Sequence, residues 1–282
     1  MHVALLAERL RVEERQIADA FKAKGISSEV IKPASLSVHL NETADPVADL
    51  VLDRAVTTRD TSSLLTLLSG NNAVIVNRPA TSRLLADRMA LIRHLIIAGL
   101  PVPTTQIAFG EDSALAAIEE IGYPVVIKTL DVRPDFPSAF VDDQDSAEAI
   151  VEHRNVLGHD QTTLIQGFQK STHDRSLRAV VIGSEVVAFD AREHDGWRPN
   201  PLGDYVPAGE IDDDVRKLAE TVISRVGTGV YAILIIETEQ GPVVTGLENL
   251  MAFRHLNELG VNPAELIVEF GLSQMSISPA RS

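Results

Sequence analysis

The sequence predicts an α/β fold, because short apolar segments alternate with helical patterns from the N-terminus onward. An apolar strand at Val3 to Ala7 is followed by a helical pattern from Val12 to Lys24, which stops at Gly25. The alternation continues through two short strands, a helical stretch and a buried-type strand, at residues 28–31, 50–53, 61–68 and 73–76. Strand and helix at this spacing indicate βαβ units, so we expect a parallel sheet in this part of the chain.

A proline-rich linker then marks a change of organisation. Thr81 to Ala98 predicts one long helix, which Gly99-Leu100-Pro101-Val102-Pro103 ends. Beyond the linker, strand and helix candidates follow at residues 106–109, 112–121, 125–128, 138–141, 146–156, 163–166, 178–182, 185–190, 212–226, 231–237, 242–247 and 263–270. We divide the chain into an N-terminal α/β domain at residues 1–99, a central subdomain at 100–171 and a C-terminal subdomain at 172–282.

The composition argues against several classes of protein. The formal net charge of −15 argues against nucleic-acid binding, which needs a basic footprint, whereas a nucleotide needs only a local patch of cations. No run of about 18 apolar residues is present, so we expect no membrane span, and the N-terminal apolar stretch is too short for a signal peptide. The chain has no cysteine, which excludes disulfides and thiolate metal sites. We therefore expect a cytoplasmic protein.

Three motifs in a fixed order carry a family resemblance. They are Asn77-Arg78-Pro79, the linker from Ala98 to Pro103, and Gly122-Tyr123-Pro124-Val125-Val126-Ile127-Lys128. Together they resemble the LysX/RimK-like ATP-grasp carboxylate–amine ligases. The similarity continues through residues 157–158, 164–166, 178–183 and 260–262, so it covers nearly the whole chain. Each motif alone is weak, and their shared order makes the resemblance specific.

The resemblance implies a fold and a reaction. The implied fold has an N-terminal α/β domain followed by central and C-terminal ATP-grasp subdomains, with the nucleotide between two antiparallel sheets. The implied reaction uses ATP and Mg²⁺ to activate a carboxylate as an acyl phosphate, which an amine then attacks. LysX-type members, which belong to lysine biosynthesis, add an amino acid to the C-terminal glutamate of a small acidic carrier protein. The implied partners are a nucleotide and an amino-acid substrate or such a carrier, and relatives often assemble as homo-oligomers.

The resemblance also implies nucleotide-binding residues. Lys128 ends an apolar strand where the family places a lysine on the phosphates, although an isolated strand-end lysine is usually just solvated. Arg88 takes the position of an earlier phosphate-contacting lysine, and a surface residue of a helix is an equal alternative. Gln166, Gly167 and Phe168 correspond to the hinge that contacts adenine through its backbone, with Gly167 in place of a usual glutamate.

Substrate-facing residues follow from the same resemblance. Arg178 lies in a strand that resembles a substrate-facing strand, and Arg192 matches a position that LysX-like members keep, so we assign both as candidate catalytic residues. Trp197 and Asn200 match further kept positions, and Arg254 keeps a basic residue near the end of the metal-binding strand. We assign these three as candidate substrate-binding residues.

Three departures from the family pattern affect the reacting centre. The loop after Lys128, at residues 129–138, has no glycine and two prolines, so fewer backbone N–H groups can approach phosphates. Leu234 and Gly246 stand where relatives have a metal-binding aspartate and glutamate, which leaves Glu248 as the candidate magnesium ligand. Gly203 replaces an arginine that relatives aim at the reacting groups.

Two hypotheses remain open at this point. The first is an ATP- and magnesium-dependent ligase that joins an amino acid to a carboxylate with weak or altered activity. The second is a catalytically inactive ATP-grasp paralogue that acts as a nucleotide- or partner-binding subunit. The three simultaneous departures motivate the second, because one loss can be compensated elsewhere more easily than three at one site.

Overall fold

The computed structural model describes the chain except for residues 42–45, 57, 71–72, 131–137, 157–161, 201–202, 250 and 278–282. Most of the predicted phosphate-covering loop and the matched pair at residues 157–158 therefore lie outside the described residues. Within the described part, no helix is long and apolar enough to cross a membrane.

The N-terminal part forms a four-stranded sheet in the order β2-β1-β3-β4. All of its pairings are parallel, which confirms the predicted parallel sheet. The strands are β1 (Val3–Leu6), β2 (Ser28–Ile31), β3 (Leu50–Asp53) and β4 (Val74–Val76), and the accompanying helices are α1 (Val12–Ala23) and α2 (Arg59–Gly70). Every residue of β1 and β3 is buried, as expected for the central strands of a parallel sheet covered on both faces.

The prediction of one long helix at Thr81 to Ala98 was wrong. Two helices occupy this region, α3 (Pro79–Ala86) and α4 (Arg88–Ile97). Asp87 between them is extended, with φ −122° and ψ 100°, and its carboxylate accepts a hydrogen bond of 2.9 Å from the N–H of Ala90. Aspartate is a favoured N-cap residue, so it ends one helix and begins the next. As a result, Arg88 is the first residue of α4.

The central part forms an antiparallel sheet in the order β5-β8-β6-β7. Its strands are β5 (Thr105–Ala108), β6 (Val125–Lys128), β7 (Ala139–Val141) and β8 (Thr163–Gly167). Helices α5 (Glu111–Ile121) and α6 (Gln144–Val156) pack on this sheet around a core that includes Ile118, Ile127 and Val151.

The C-terminal part forms a larger antiparallel sheet in the order β11-β10-β9-β13-β14, with β12 paired to β10. Its strands are β9 (Arg175–Gly183), β10 (Glu185–Asp195), β11 (Arg198–Pro199), β12 (Val206–Pro207), β13 (Gly229–Thr238) and β14 (Gly241–Glu248). Helix α7 (Asp213–Val226), a 3₁₀ helix at Arg254–Leu259 and helix α8 (Pro263–Ile277) complete this part. The short strands β11 and β12 were not predicted, because two residues give no periodic pattern.

The Asn77-Arg78-Pro79 motif joins the N-terminal sheet to the C-terminal sheet. The Asn77 side chain pairs with the backbone of β13 as a neighbouring strand would. Its amide donates to the carbonyl of Val230 at 2.9 Å, and its oxygen accepts from the N–H of Val230. Gly229 is required beside it, because a Cβ atom there would lie 2.6 Å from the Asn77 oxygen. This contact fixes β13, which carries part of the candidate site, against the N-terminal sheet.

Candidate functional site

Lys128 lies at the end of β6 with a neutral partner. Its Nζ donates a hydrogen bond of 2.6 Å to Oε1 of Gln166, whose amide in turn donates to Oγ1 of Thr105 at 3.0 Å. Burial, together with the smaller effect of the nearby charge of Arg88, lowers the pKa of Lys128 to about 7. An anion beside this ammonium group would favour its charged form.

Arg88 reaches the same end of β6 from the start of α4. Its Nη1 donates a hydrogen bond of 2.6 Å to the carbonyl oxygen of Thr129, the residue that follows Lys128. The break at Asp87 produces this arrangement, because it places Arg88 at the first turn of a new helix. The structure therefore brings together two of the predicted phosphate-binding cations, Lys128 and Arg88, with Gln166.

The predicted adenine hinge has its backbone donors already paired. The N–H of Gly167 donates to the carbonyl of Thr104 at 2.9 Å, and that of Phe168 donates to the carbonyl of Pro124 at 3.0 Å. The Gly167 carbonyl accepts a bond of 3.1 Å from the side chain of Gln169. Contact with a nucleobase at this hinge therefore depends mainly on remaining carbonyl lone pairs and on the Phe168 ring.

An aromatic stack connects the hinge to the C-terminal sheet. The ring of Phe168 meets Phe140 on β7 edge to face at 5.1 Å, and Phe140 stacks on Trp197 at 5.6 Å with an interplanar angle of 25°. Trp197 lies in the turn between β10 and β11, so the stack bridges the edges of the two antiparallel sheets. Trp197 is thus packed between structural units in this conformation.

Arg178 is the centre of a second, buried network. Its side chain is 1% exposed, and it binds Asp190 through two hydrogen bonds, from Nε to Oδ1 at 2.9 Å and from Nη2 to Oδ2 at 2.7 Å. Its Nη1 donates to Oε1 of Glu248 at 2.9 Å, and its Nη2 donates to the carbonyl of Ala252 at 2.7 Å. Burial alone would lower the pKa of Arg178, but the hydrogen bonds and charges of its carboxylate partners raise it.

Tyr205 and His255 complete this network. The guanidinium carbon of Arg178 lies 3.7 Å from the centroid of the Tyr205 ring, and that of Arg192 lies 4.0 Å from it. The His255 ring stacks on Tyr205 at 6.1 Å, and His255 Nε2 is 2.9 Å from Oδ2 of Asp190. The two candidate catalytic arginines are therefore linked through one aromatic ring.

Three members of this network were not predicted from the sequence: Asp190, Tyr205 and His255. One of them had a usable signal, since Arg178 and Asp190 face each other across the β9–β10 hairpin. Opposite charges directly across a hairpin stabilise one another. Tyr205 had no comparable signal, because its position depends on how β12 pairs with β10.

The residues present do not fit a bound magnesium ion. Leu234 and Gly246 are direct partners across β13 and β14, and Leu234 Cδ1 fills the space 3.8 Å from where a Gly246 Cβ would lie. Hydrocarbon therefore occupies the positions where Mg²⁺ would need oxygen ligands. Glu248 supplies oxygens, but one of them is held by Arg178. Among the described residues, no three or more His, Cys, Asp or Glu side chains cluster in a way that could hold a metal ion.

The predicted substrate-binding residues Asn200 and Arg254 lie beside Gly203 and His255, respectively. Asn200 packs against Gly203, where a Cβ atom would lie 3.2 Å from the Cβ of Asn200. An arginine in place of Gly203 would therefore require Asn200 to shift. Arg254 is exposed at the start of its 3₁₀ helix, directly before His255.

A parallel sheet followed by two antiparallel sheets is the fold that this chain shares with ATP-grasp proteins of known structure. A model of the RimK-like ATP-grasp domain matches residues 85–270, and a model of the LysX preATP-grasp domain matches residues 3–84. The chain belongs to the RimK-like ATP-grasp family.

Named ligases and solved structures are similar to this chain. The chain is 28% identical over 233 residues to the glutamate–LysW ligase ArgX of Sulfolobus acidocaldarius, covering 79% of each chain. It is 25% identical to the ligase of the same name from Sulfurisphaera tokodaii, covering 96% of this chain and 98% of that one. The crystal structure of a RimK-domain ATP-grasp protein from Sphaerobacter thermophilus superimposes with a TM-score of 0.87 at 45% identity, covering 96% of this chain and 100% of that one. A D-alanine–D-alanine ligase from Bacillus anthracis, covering 98% of both chains at 13% identity and a TM-score of 0.73, shares the fold.

Proposed function

We propose that this protein binds a nucleotide between its two antiparallel sheets and catalyses ATP-dependent joining of an amino acid to a carboxylate only in weak or altered form. The observation that carries this proposal is the ion pair of 2.9 Å between Arg178 and Glu248. It engages the one candidate metal ligand, while Leu234 and Gly246 offer none. The chemistry of the reacting centre therefore differs from that of a ligase with a complete metal site.

Lys128 and Arg88 support the nucleotide part of the proposal. They converge at the end of β6, and the lowered pKa of Lys128, about 7, means that a bound phosphate would stabilise its charged form. Neutralising phosphate charge is the main task of cations in phosphoryl transfer. The three-part division at residues 1–99, 100–171 and 172–282 remains part of this proposal, as does assembly into a homo-oligomer.

The names of the relatives suggest the substrates of any remaining activity. Relatives named glutamate–LysW ligases support an amino acid such as glutamate and a small carrier protein as the reacting pair. Arg192, Trp197, Asn200 and Arg254 would contact that pair. No catalytic step that needs a protein-bound magnesium ion follows from the residues present.

Calorimetric titration with a non-hydrolysable ATP analogue, with and without Mg²⁺, tests the proposal. We expect binding in both conditions, weakened about tenfold or more in Lys128→Ala because a phosphate would lose its cation. Lys217→Ala is the matched control, since that lysine is 73% exposed on α7. Absence of heat at millimolar nucleotide would overturn the proposal. Binding that needs Mg²⁺ and is lost in Glu248→Ala would instead show a working metal site.

A second candidate function is an inactive paralogue that serves as a nucleotide- or partner-binding subunit. The observation that favours it is the engagement of Arg178, which donates to Asp190, Glu248 and Ala252 and has one N–H left. A guanidinium so engaged has little capacity to stabilise a developing charge. Measurement of ADP formation with glutamate and other amino acids separates the two functions, because nucleotide binding without turnover supports the second.

A further inference from the structure

The ring of Tyr205 contacts both candidate catalytic arginines. Its centroid lies 3.7 Å from the guanidinium carbon of Arg178 and 4.0 Å from that of Arg192. Aromatic faces attract cations at such distances, and the ring covers part of each guanidinium group. Tyr205 therefore occupies space next to both guanidinium groups that an anionic ligand would otherwise use.

The cluster around Tyr205 contains equal numbers of arginine and carboxylate side chains. Arg178 and Arg192 bring two positive charges, and Asp190 and Glu248 bring two negative charges, while His255 also contacts Asp190. An anion that binds Arg178 must therefore replace one of its two carboxylate partners. Asp190 is unsuitable for this exchange, because its side chain is 0% exposed and holds Arg178 through two bonds.

Glu248 and Tyr205 are the members of the cluster that can move away from the arginines. The Glu248 side chain is 33% exposed and holds Arg178 by a single bond, so it can turn to solvent when another anion takes its place on Arg178. Tyr205 directly precedes β12, a strand of two exposed residues that pairs only with β10 among the described strands. Short edge pairings of this kind open locally at low free energy.

Among the described residues, Arg192 has an unsatisfied hydrogen-bond donor. Its Nε is buried and has no hydrogen-bond partner within the described structure. A buried donor without a partner costs free energy and calls for an explanation. An anion beside Arg192 would satisfy this donor, which the face of the Tyr205 ring leaves unpaired.

We propose that Tyr205 and Glu248 form an internal cap on an anion site, and that Arg178 and Arg192 bind a carboxylate or phosphoryl group once this cap opens. The inference rests on the proposed function, since it concerns the two candidate catalytic arginines of that function. It adds the regulation of that side: Tyr205 is a positioning residue that holds the arginines in a closed arrangement. Carboxylate and phosphoryl groups share the oxygen acceptors that a guanidinium fork recognises.

The experiment measures binding of L-glutamate and of inorganic phosphate by calorimetry at constant ionic strength. In Tyr205→Ala we expect about tenfold tighter binding of one of the two anions, because the cations lose the ring that covers them. Tyr205→Phe is the matched control, since it keeps the ring and should bind like the unchanged protein. The anion that responds identifies the ligand as a carboxylate or a phosphoryl group.

A second variant keeps the test decisive if Tyr205→Ala does not fold. Glu248→Gln preserves the shape of the side chain but removes its charge, so it should also tighten binding of the same anion. Unchanged affinities in both variants, or equal gains in Tyr205→Ala and Tyr205→Phe, would overturn the cap. Because the probes are not nucleotides and the variants leave Lys128 intact, failure of the cap is distinguishable from failure of nucleotide binding.

Discussion

Lys128 and Arg178 are both cations of the candidate site, and their surroundings are opposite. Lys128 has a neutral amide partner, and burial lowers its pKa to about 7. The Arg178 side chain is only 1% exposed, yet two carboxylates raise its pKa. The difference shows that burial alone does not decide the state of a charge, because counter-charges within hydrogen-bond distance can outweigh desolvation.

This contrast has a functional meaning. In the central sheet, Lys128 has no carboxylate partner among the described residues, so an anionic ligand would supply its counter-charge. In the C-terminal sheet, Asp190 and Glu248 already supply the counter-charges of Arg178. Family resemblance assigns both cations to one reaction. The structure instead supports binding at the first and closure at the second.

Removal of Arg178 should have the largest effect on stability. Arg178→Met leaves the fully buried Asp190 without its ion-pair partner, and we expect a loss of about 3–5 kcal/mol in the free energy of unfolding. Urea denaturation measures this loss. Arg225→Met, at an exposed position of α7, serves as the control and should change the free energy by less than about 0.5 kcal/mol. A similar small change in Arg178→Met would mean that the two regions do not differ as described.

The pH dependence of stability tests the other side of the contrast. The pKa of Lys128 falls from 10.5 in the unfolded chain to about 7 in the folded protein, so the unfolded state binds more protons between these values. The contribution of Lys128 to stability is therefore fully present above pH 10.5 and is lost as the pH falls through 7.

Lys128→Met removes this titration. Between pH 10 and pH 7 the unchanged protein should lose on the order of 2 kcal/mol more than the variant, after allowance for partial solvent exposure. Urea denaturation of both proteins across this range gives the difference, in which the titration of all other groups cancels. Parallel pH profiles would show that Lys128 keeps an ordinary pKa and is a solvated strand-end lysine.

The sequence predicted the architecture better than the contacts of the site. Alternating strands and helices were enough for the parallel sheet, and β6 was predicted with the bounds that the structure shows, Val125–Lys128. The long helix failed at Asp87, because the apolar pattern continues across the break while the decisive feature is a cap by one side chain. Local propensity and periodicity therefore explain both the success and the error.

The convergence of Arg178, Arg192 and Glu248 was foreseen only as three separate assignments from the family resemblance. Their shared contact with Tyr205 or with each other depends on strand pairing between segments far apart in the sequence. No periodic pattern encodes such pairing. The metal role of Glu248 stays a prediction, and the structure shows that Arg178 already binds one of the two carboxylate oxygens of Glu248.

The smallest predicted effect concerns the stack that joins the two regions. Trp197 is the only tryptophan in the chain, and it packs on Phe140 at 5.6 Å. Phe140→Leu should cost about 1 kcal/mol of stability and shift the fluorescence of Trp197 to longer wavelength, because the indole loses its aromatic neighbour and gains water. Phe109→Leu is the matched control, since Phe109 is 69% exposed. If the emission of Phe140→Leu matches that of the control, Trp197 does not pack on Phe140 in solution and the stack does not bridge the two sheets.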